Sequence, residues 1–393
     1  MNFLKNFNFK NKTILIRVDF NVPLNNNKEV ADDSRIVASI DTIKHVLNSN
    51  NKVVLMSHLG RPEGKDQKLS LFPIVKKLES LLKKPVVFFN DCIGEKIEKS
   101  INDSAPETLF LLENLRFYKE ETKNDIEFSK KLSNLADVYI NDAFGTSHRK
   151  HASNFGIISF FKKEKYCGLL LEKEIKNLKL VFDLKASPSL AIIGGAKISS
   201  KINVIYSLIN FVDKVIIGGG MAYTFIKAMG GSVGSSLIEE EQLEEAKKII
   251  YKSKENEVEL LLPVDSVNSK SFSNSIDSTT NIYKIPENNM GLDIGPKSIE
   301  LFQKNILEAK KIIWNGPMGV FEFSNFSNGT MLVGRAIAIS TENGAFSLVG
   351  GGDSIASIKK YNLDKKVSYI STGGGAMLEF LEGKELPALS ALL

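Results

Sequence analysis

The chain has 393 residues, of which 43% are hydrophobic and 25% are charged, and its formal net charge is +5. These values are typical of a soluble globular protein and argue against a nucleic-acid binder, which more often shows a dense basic stripe. No apolar run approaches the roughly 18 residues needed to span a membrane, and we expect no secretory signal. The two cysteines, Cys92 and Cys167, lie far apart without metal-site spacing, so we expect a cytoplasmic protein without disulfide or zinc.

Short apolar runs alternate with helix-like stretches along the whole chain, which predicts a parallel α/β architecture, and the length favours two domains. In the first half the predicted strands are 13–18, 52–57, 85–89, 108–112 and 137–140. A helix is predicted over Gly168–Phe182, where apolar residues keep helical spacing, and it is a good connector between the halves. In the second half the predicted strands are 189–193, 213–217, 258–262, 310–314, 345–349 and 367–370. Residues 265–295 are predicted to be irregular or short-stranded.

Arginine is rare in this chain, and its positions are informative. Only six of the 51 basic residues are arginine, and five of them precede residue 150, in or near polar clusters at the ends of apolar runs. A guanidinium group binds a carboxylate or phosphate through two hydrogen bonds, which lysine does not do. The polar residues of these strand ends and of one helix start are Arg17, Asp19, Asn21, Arg35, His58, Arg61, Arg116, His148, Arg149 and His151.

Because ligands bind at the carboxyl ends of strands in open α/β sheets, we expect these ten residues to form one anion site. Its ligand would be a small molecule with a carboxylate and a phosphate. Taken singly, each residue has a structural alternative: surface salt bridges for the arginines, a turn for Asp19, and a core position for His58. Taken together, clustered like charges are stable only when something anionic offsets them.

In the second half the predicted strands run into glycine, as in IIGGAKISSKI, IIGGGMAYTF, IWNGPMGVFE, LVGGGDSIAS and ISTGGGAMLEF. A strand followed by a glycine turn and a helix N-terminus can bind phosphate through free amides and the helix dipole. One such turn also occurs in plain connections, but five in one half favour a nucleotide site. The P-loop fingerprint is absent, and no GxGxxG follows the first strand, which weakens a dehydrogenase interpretation.

Two lysines and two carboxylates stand out beside these glycine turns. Lys197 and Lys201 are predicted to lie four apart on one face at the start of a helix, where cations are unfavourable unless they meet phosphate oxygens. Asp353 is the best placed carboxylate for a Mg²⁺ that also contacts phosphates, and its alternative is an N-cap of a helix beginning near Ser354. Glu322 could accept from a ribose hydroxyl, with a surface salt bridge as the alternative.

The ordered motifs RVDFNVP, SHLGRP, LLENLRF, GTSHRKHAS, GGAKISSKI, GGGMAYTF, LPVDS, GLDIGP, WNGPMGVFE, GGGDS and STGGGAMLEFLEGKELPAL resemble those of the phosphoglycerate kinase family, over about residues 17 to 393. The resemblance implies two doubly wound parallel-sheet, Rossmann-like domains joined by a helix and hinge. The implied boundaries are 1–165 for phosphoglycerate binding, 166–184 for the interdomain helix, 185–375 for nucleotide binding, and 376–393 for a segment returning to the first domain. Departures from the family pattern are Ser200, where Asp is frequent, and Ser266, where Val is common.

The resemblance also implies ligands for the two sets of residues. The ten polar residues of the first half would bind 3-phosphoglycerate or 1,3-bisphosphoglycerate. ADP or ATP with Mg²⁺ would be bound in the second half, with the metal at Asp353. The residues implied for this nucleotide are Gly195, Ala196, Lys197, Lys201, Gly219, Gly291, Asn315, Glu322, Gly351, Gly352, Asp353 and Ser354.

The implied reaction is reversible transfer of the acyl phosphate of 1,3-bisphosphoglycerate to ADP. The attacking carboxylate is already ionised, so no general base is needed, and the work is positioning and charge neutralisation. We assign it to Arg35, Lys201, Mg²⁺ and the backbone amides that follow Gly350 and Gly373, at Gly352 and Gly374. We also expect hinge closure, a monomer, and no nucleic-acid or membrane partner. The alternatives are another nucleotide-dependent enzyme, such as a dehydrogenase or an unrelated acyl-phosphate kinase, and a non-enzymatic polyanion-binding protein.

Overall fold

The computed structural model describes residues 1–393 and divides into two compact units. Unit 1 comprises Met1–Lys176 with Glu385–Leu393, and unit 2 comprises Asn177–Lys384. The predicted boundaries at 165/166, 184/185 and 375/376 differ from these divisions. The difference at the C-terminal end arises because the helix over Gly374–Leu381 packs within unit 2, where the Ser207 hydroxyl donates to the Leu381 carbonyl over 2.5 Å. The functional assignment of the domains stays a prediction.

Unit 1 is built on a six-stranded sheet in which every pairing is parallel. Its strands are β1 (Thr13–Arg17), β2 (Lys52–Met56), β3 (Val86–Phe88), β4 (Leu109–Leu111), β5 (Val138–Asn141) and β6 (Lys165–Cys167). The spatial order is β3-β4-β2-β1-β5-β6. Strands covered on both faces read as apolar runs, and all of β4 and β5 is buried.

The helices of this part of the chain are α1 (Ser34–Val46), α2 (Phe72–Leu82), α3 (Glu95–Asp103), α4 (Lys119–Thr122), α5 (Ile126–Ser133) and α6 (Leu169–Asp183). Each longer helix buries one stripe of apolar residues, such as Ile36, Ile40 and Ile43 of α1, against the sheet core. Asp125 caps α5 by accepting from the Phe128 amide. The helix predicted at 168–182 is confirmed as α6, and the division between the two units falls within it.

Unit 2 has its own parallel six-stranded sheet, with the order β10-β8-β7-β15-β16-β17, and two small sheets. Its strands are β7 (Ser189–Ile193), β8 (Lys214–Ile217), β9 (Ser232–Val233), β10 (Glu259–Leu261), β11 (Asp265–Ser269), β12 (Ser278–Asn281), β13 (Lys284–Ile285), β14 (Met290–Ile294), β15 (Lys311–Asn315), β16 (Phe346–Val349) and β17 (Tyr369–Ile370). The short strands β11 to β14 confirm the prediction for residues 265–295.

The remaining helices are α7 (Ile202–Leu208), α8 (Met221–Ala228), α9 (Leu243–Glu255), α10 (Pro296–Glu308), α11 (Asn328–Glu342), α12 (Gly352–Lys360), α13 (Gly374–Leu381) and, back in unit 1, α14 (Pro387–Ser390). The core of unit 2 includes the fully buried Trp314 of β15. No helix in the molecule is both long and apolar enough to cross a membrane.

Strand order reverses once in each large sheet. In unit 1 the strands β2, β3 and β4 lie on one side of β1, and β5 and β6 lie on the other side. In unit 2, β8 and β10 lie on one side of β7, and β15, β16 and β17 lie on the other side. Such a switch point leaves a crevice at the carboxyl ends of the flanking strands, where ligands of doubly wound folds bind. The two sets of predicted residues follow these strands.

Candidate active site

Arg17 is the last residue of β1, and it is buried, with 1% of its surface exposed. Its Nε donates to the Ser153 hydroxyl over 2.8 Å, and Nη2 donates to Nδ1 of His58 over 3.1 Å. Because arginine has no acceptor, this nitrogen of His58 must be unprotonated, and the proton of the neutral ring lies on Nε2. A further donation goes to the Val18 carbonyl. Arg17 therefore lies beneath the site and supports it.

The start of α1 brings Arg35 to the segment that follows β1. Nη1 of Arg35 donates to Oδ2 of Asp19 and to the Asn21 carbonyl, each over 3.1 Å. The Asn21 side-chain oxygen accepts from the Gly60 amide over 2.9 Å, and the Gly60 carbonyl accepts from Nη1 of Arg116 over 2.5 Å. These contacts join the ends of β1, β2 and β4 and the start of α1, as the sequence predicts.

Three of the predicted arginines line one open cleft of about 320 Å³. Its walls include Arg61, Arg116, Arg149, Tyr118, Lys119 and Thr122. Burial and the positive charges of Arg149 and Arg17 lower the pKa of Arg116 to about 10, while Glu121 opposes that change. At neutral pH the cleft is therefore cationic and suited to a small anion.

The histidines of this region are neutral at physiological pH. Burial, followed by the charges of Arg17 and Arg116, lowers the pKa of His151 to about 3 and that of His58 well below its usual range. Burial and Arg149 also lower the pKa of His148. Nε2 of His148 accepts from Nε of Arg149 over 3.0 Å, and Nδ1 of both His148 and His151 is buried without a protein partner. All ten predicted residues belong to this region of unit 1.

A buried carboxylate that the sequence did not single out lies behind the cleft. Glu121 is in α4, has no exposed surface, and accepts from the hydroxyl and the amide of Ser153 over 2.7 Å and 3.0 Å. Its run, KEETKND, is as polar as a solvated helix face, so no sequence signal marks it. Only the packing of residues 151–153 against α4 shows that it is enclosed.

In unit 2 the glycine turns after β7 and β15 approach each other closely. The Gly194 amide donates to the Asn315 carbonyl and the Gly195 amide to the Pro317 carbonyl, over 2.9 Å and 3.0 Å. Gly219 has φ +68°, and a Cβ there would lie 2.6 Å from the backbone of Gly195. Glycine at this position is therefore required by packing as well as suited to phosphate binding.

The turns after β15 and β16 are joined by side chains of predicted residues. The Asn315 side-chain amide donates to the Gly350 carbonyl over 2.7 Å, while its side-chain oxygen is buried without a partner. The Ser354 hydroxyl accepts from the Gly316 amide over 2.6 Å. A Cβ on Gly374 would lie 3.4 Å from the Cα of Gly351, so the start of α13 adjoins the start of α12. Two helix N-termini thus meet at this edge of the sheet.

The predicted placement of Lys197 and Lys201 on one helix is wrong, because α7 begins at Ile202 and Lys201 is its N-cap residue. In the preceding turn the amide and the hydroxyl of Ser199 donate to the distant Glu239 over 3.0 Å and 2.6 Å. Lys197 and Ala196 are exposed in this turn. Lys201 is half-buried, and burial lowers its pKa to about 8 although Asp353 favours the charged form.

The alternative for Asp353 is also wrong. Helix α12 begins at Gly352 with Gly351 as its N-cap, so Asp353 is an exposed residue of the first turn. No group of three or more His, Cys, Asp or Glu side chains is arranged to hold a metal. Mg²⁺ commonly takes only one or two carboxylates and completes its shell with phosphates and water, and one exposed carboxylate near Lys201 fits that pattern.

A hydrogen bond of 2.8 Å from the Val320 amide to the Leu292 carbonyl joins the loop after β15 to β14. Gly291 is next to Leu292 in the sequence, and Glu322 lies two residues after Val320. Gly291 is buried, and a Cβ there would lie 2.0 Å from the Tyr223 hydroxyl, which pairs with Ser266. Gly291 therefore contributes to packing, whereas Glu322 is exposed and available to a ligand.

Gly351→Ala is expected to weaken nucleotide binding at least tenfold and to lower stability by about 1–3 kcal/mol. Gly351 has φ +95°, and an added Cβ would lie 2.6 Å from the side-chain nitrogen of Asn315. Calorimetric titration with ADP and thermal unfolding measure the two effects. Gly344→Ala is the matched control, because Gly344 has the same φ but open space around it. Equal ADP affinity in the two variants would contradict the prediction.

The whole chain is similar to proteins of one family. The family model for phosphoglycerate kinase matches residues 4–384. Relatives named phosphoglycerate kinase from Dictyoglomus turgidum and Thermosipho africanus are 49% and 47% identical, over 99% of this chain and 97% of their own length. The solved phosphoglycerate kinase from Coxiella burnetii is similar at a TM-score of 0.88 and 39% identity, covering 99% of this chain and 98% of that one. The solved phosphoglycerate kinase from Pyrococcus horikoshii is similar at a TM-score of 0.87 and 34% identity, covering 100% of this chain and 98% of that one.

Proposed function

This chain belongs to the phosphoglycerate kinase family, and from that premise we propose that it catalyses reversible transfer of the acyl phosphate of 1,3-bisphosphoglycerate to ADP, giving 3-phosphoglycerate and ATP. The observation that carries the proposal is the pairing of two different sites in one chain. A cleft in unit 1 is lined by Arg61, Arg116 and Arg149, and unit 2 carries adjoining glycine turns at helix N-termini.

The arginine cleft of unit 1 is the proposed site for the phosphoglycerate. Arg61, Arg116 and Arg149 bind the non-transferring phosphate, since guanidinium forks match phosphate oxygens. Arg35 lies on the other side of Asn21 and Gly60, with about a third of its side chain exposed, and is proposed to meet the carboxylate end where the phosphate is transferred. Arg17 and His58 hold the floor of the site through their mutual hydrogen bond.

The glycine turns of unit 2 are the proposed nucleotide site. The amides at the starts of α12 and α13, including those of Gly352 and Gly374, face developing charge on phosphate oxygens, and Lys201 adds a cation. Asp353 would hold Mg²⁺, which when bound neutralises phosphate oxygens. Gly195, Gly219, Asn315 and Glu322 are proposed to border the adenosine.

Direct in-line transfer requires the acyl phosphate and the nucleotide to meet away from water. We therefore propose a closing motion about the α6 connector and the C-terminal segment. The radius of gyration in X-ray scattering is expected to fall when 3-phosphoglycerate and a non-hydrolysable ATP analogue are both present, and to change less with either alone. An unchanged radius with both ligands bound would contradict the motion.

We also propose that the protein is a monomer and is located in the cytoplasm.

The function is tested by a coupled assay for ATP-dependent formation of 1,3-bisphosphoglycerate from 3-phosphoglycerate. Activity that requires 3-phosphoglycerate and Mg²⁺, and is lost on chelation and restored by Mg²⁺, is the expected result. Activity with a nicotinamide cofactor instead, or with a different carboxylic acid, would favour another enzyme. Tight binding of polyanions without any turnover would favour a binding protein.

A further inference from the structure

Glu121 is a fully buried carboxylate behind a cluster of arginines, and the transfer reaction described above does not use it. It lies in α4, whose first and last residues, Lys119 and Thr122, line the arginine cleft. Side chains of this type are almost never fully buried unless something compensates the charge. This carboxylate lies beneath a site for anions, where it can act on the charges that line the cleft.

Its hydrogen bonds link it to Arg17 through a single hydroxyl group. The Ser153 hydroxyl donates to Oε1 of Glu121 over 2.7 Å and accepts from Nε of Arg17 over 2.8 Å. A serine hydroxyl has one donor and two acceptor positions, so it can make both contacts at once. The Glu121 backbone carbonyl also accepts from the Ala152 amide over 2.9 Å, which fixes residues 151–153 against α4.

The charge of Glu121 acts on the floor and on one wall of the arginine cleft. Nδ1 of His151 lies 3.8 Å from Oε1 of Glu121, but burial and the surrounding arginines keep the pKa of that ring low, so it does not neutralise the carboxylate. Glu121 instead offsets the charges of Arg17 and Arg116, since it is among the groups that favour the protonated form of Arg116. Inside a protein such interactions are screened less than in water.

We propose that Glu121 is a positioning residue that limits the affinity of the arginine cleft for its anionic ligand: it neutralises part of the guanidinium charge in the free protein and repels the anion in the complex. Both effects weaken binding, because the first lowers the free energy of the unoccupied site and the second raises the free energy of the complex. Such a limit favours turnover, since a very tightly bound product leaves slowly. The identification of phosphoglycerate as the ligand rests on the proposed function; the effect on anion affinity does not.

Glu121→Gln preserves the shape of the side chain and removes its charge. The variant is expected to bind 3-phosphoglycerate about tenfold more tightly, which corresponds to about 1.4 kcal/mol, with a fall in its KM, an unchanged KM for ATP and no rise in kcat. Loss of a purely structural contact would act in the opposite direction and raise the KM for phosphoglycerate. Isothermal titration and steady-state kinetics on the full chain measure these quantities.

Glu120→Gln is the matched control, because it removes the same charge from the neighbouring, exposed residue of α4. It is expected to change phosphoglycerate affinity less than twofold, as solvent and salt screen an exposed charge. Equal tightening in the two variants would overturn the proposal, because the effect would then be one of net charge alone. So would an unchanged or weakened affinity in Glu121→Gln.

Ser153→Ala shows what loss of the hydrogen-bond link alone does. It keeps every charge and removes only the hydroxyl between Glu121 and Arg17, so we expect phosphoglycerate binding to weaken by about threefold to tenfold, in contrast to the tightening in Glu121→Gln. Tighter binding in Ser153→Ala would also overturn the proposal.

Inorganic phosphate serves as a second probe in all four proteins, with binding followed by the rise in melting temperature. If wild-type protein binds phosphate but shows no turnover of 3-phosphoglycerate, the proposed function fails while the order of anion affinities still tests Glu121. If wild-type turnover is normal and Glu121→Gln binds both anions no more tightly than wild type, only the role of Glu121 fails.

Discussion

Replacing Arg35 with lysine is expected to lower kcat by about 10²–10³-fold, with a smaller effect on the KM for 3-phosphoglycerate. Nη1 of Arg35 is already engaged by Asp19 and the Asn21 carbonyl, so only Nη2 and Nε are free to donate to the transferring phosphate. A lysine ammonium would be held by Asp19 as a point charge, and the second arm of the fork would be lost. The coupled assay at saturating substrates measures kcat directly.

Arg335→Lys is the control for this substitution. Arg335 is the one arginine outside the predicted set, and it is exposed on α11 in unit 2. Its replacement is expected to leave both kcat and KM within about twofold, in line with other surface changes. If Arg35→Lys retained near wild-type kcat, Arg35 would be a structural partner of Asp19 and its assignment to phosphoryl transfer would be wrong.

The strands could be predicted because each buries a short apolar run, and the connector helix could be predicted because its apolar residues recur at helical spacing. The predicted strand 189–193 and the helix 168–182 match the structure to within one residue at each end. The edge strand β6 was missed, because Lys165–Cys167 is short and follows a charged run, and only pairing with β5 makes it a strand. Tertiary pairing of this kind has no local sequence signal.

The positions of the candidate residues at strand ends could be predicted, but how deeply each side chain is buried could not. Arg17 reads as one more arginine of the anion site, yet the structure buries it and engages three of its nitrogens within the protein. The turn at Lys197 reads as the start of a helix, whereas α7 begins at Ile202 and the turn is fixed by hydrogen bonds from Ser199 to the distant Glu239. In both cases the decisive partner lies dozens of residues away, where single-sequence periodicity carries no information.

Lys201→Met is expected to lower kcat by about 10²–10³-fold and to weaken ADP binding, because a half-buried ammonium near the start of α12 is replaced by an apolar side chain of similar length. Lys304→Met on α10 is the matched control, since Lys304 is exposed on a helix without predicted site residues. Turnover and calorimetric titration with ADP separate the two effects. Equal ADP affinity in both variants would exclude Lys201 from the nucleotide site.

The lowered pKa of Lys201, about 8 against an ordinary 10.5, adds a test based on pH. The unfolded chain binds more protons than the folded chain between these values, so this residue favours folding as pH rises through that window. Nucleotide binding has the opposite dependence, because phosphate oxygens prefer the ammonium form. ADP affinity is therefore expected to fall as pH rises above about 8, and this fall should be absent in Lys201→Met. A fall of the same size in the variant would mean that another group titrates, and that Lys201 does not contact the phosphates.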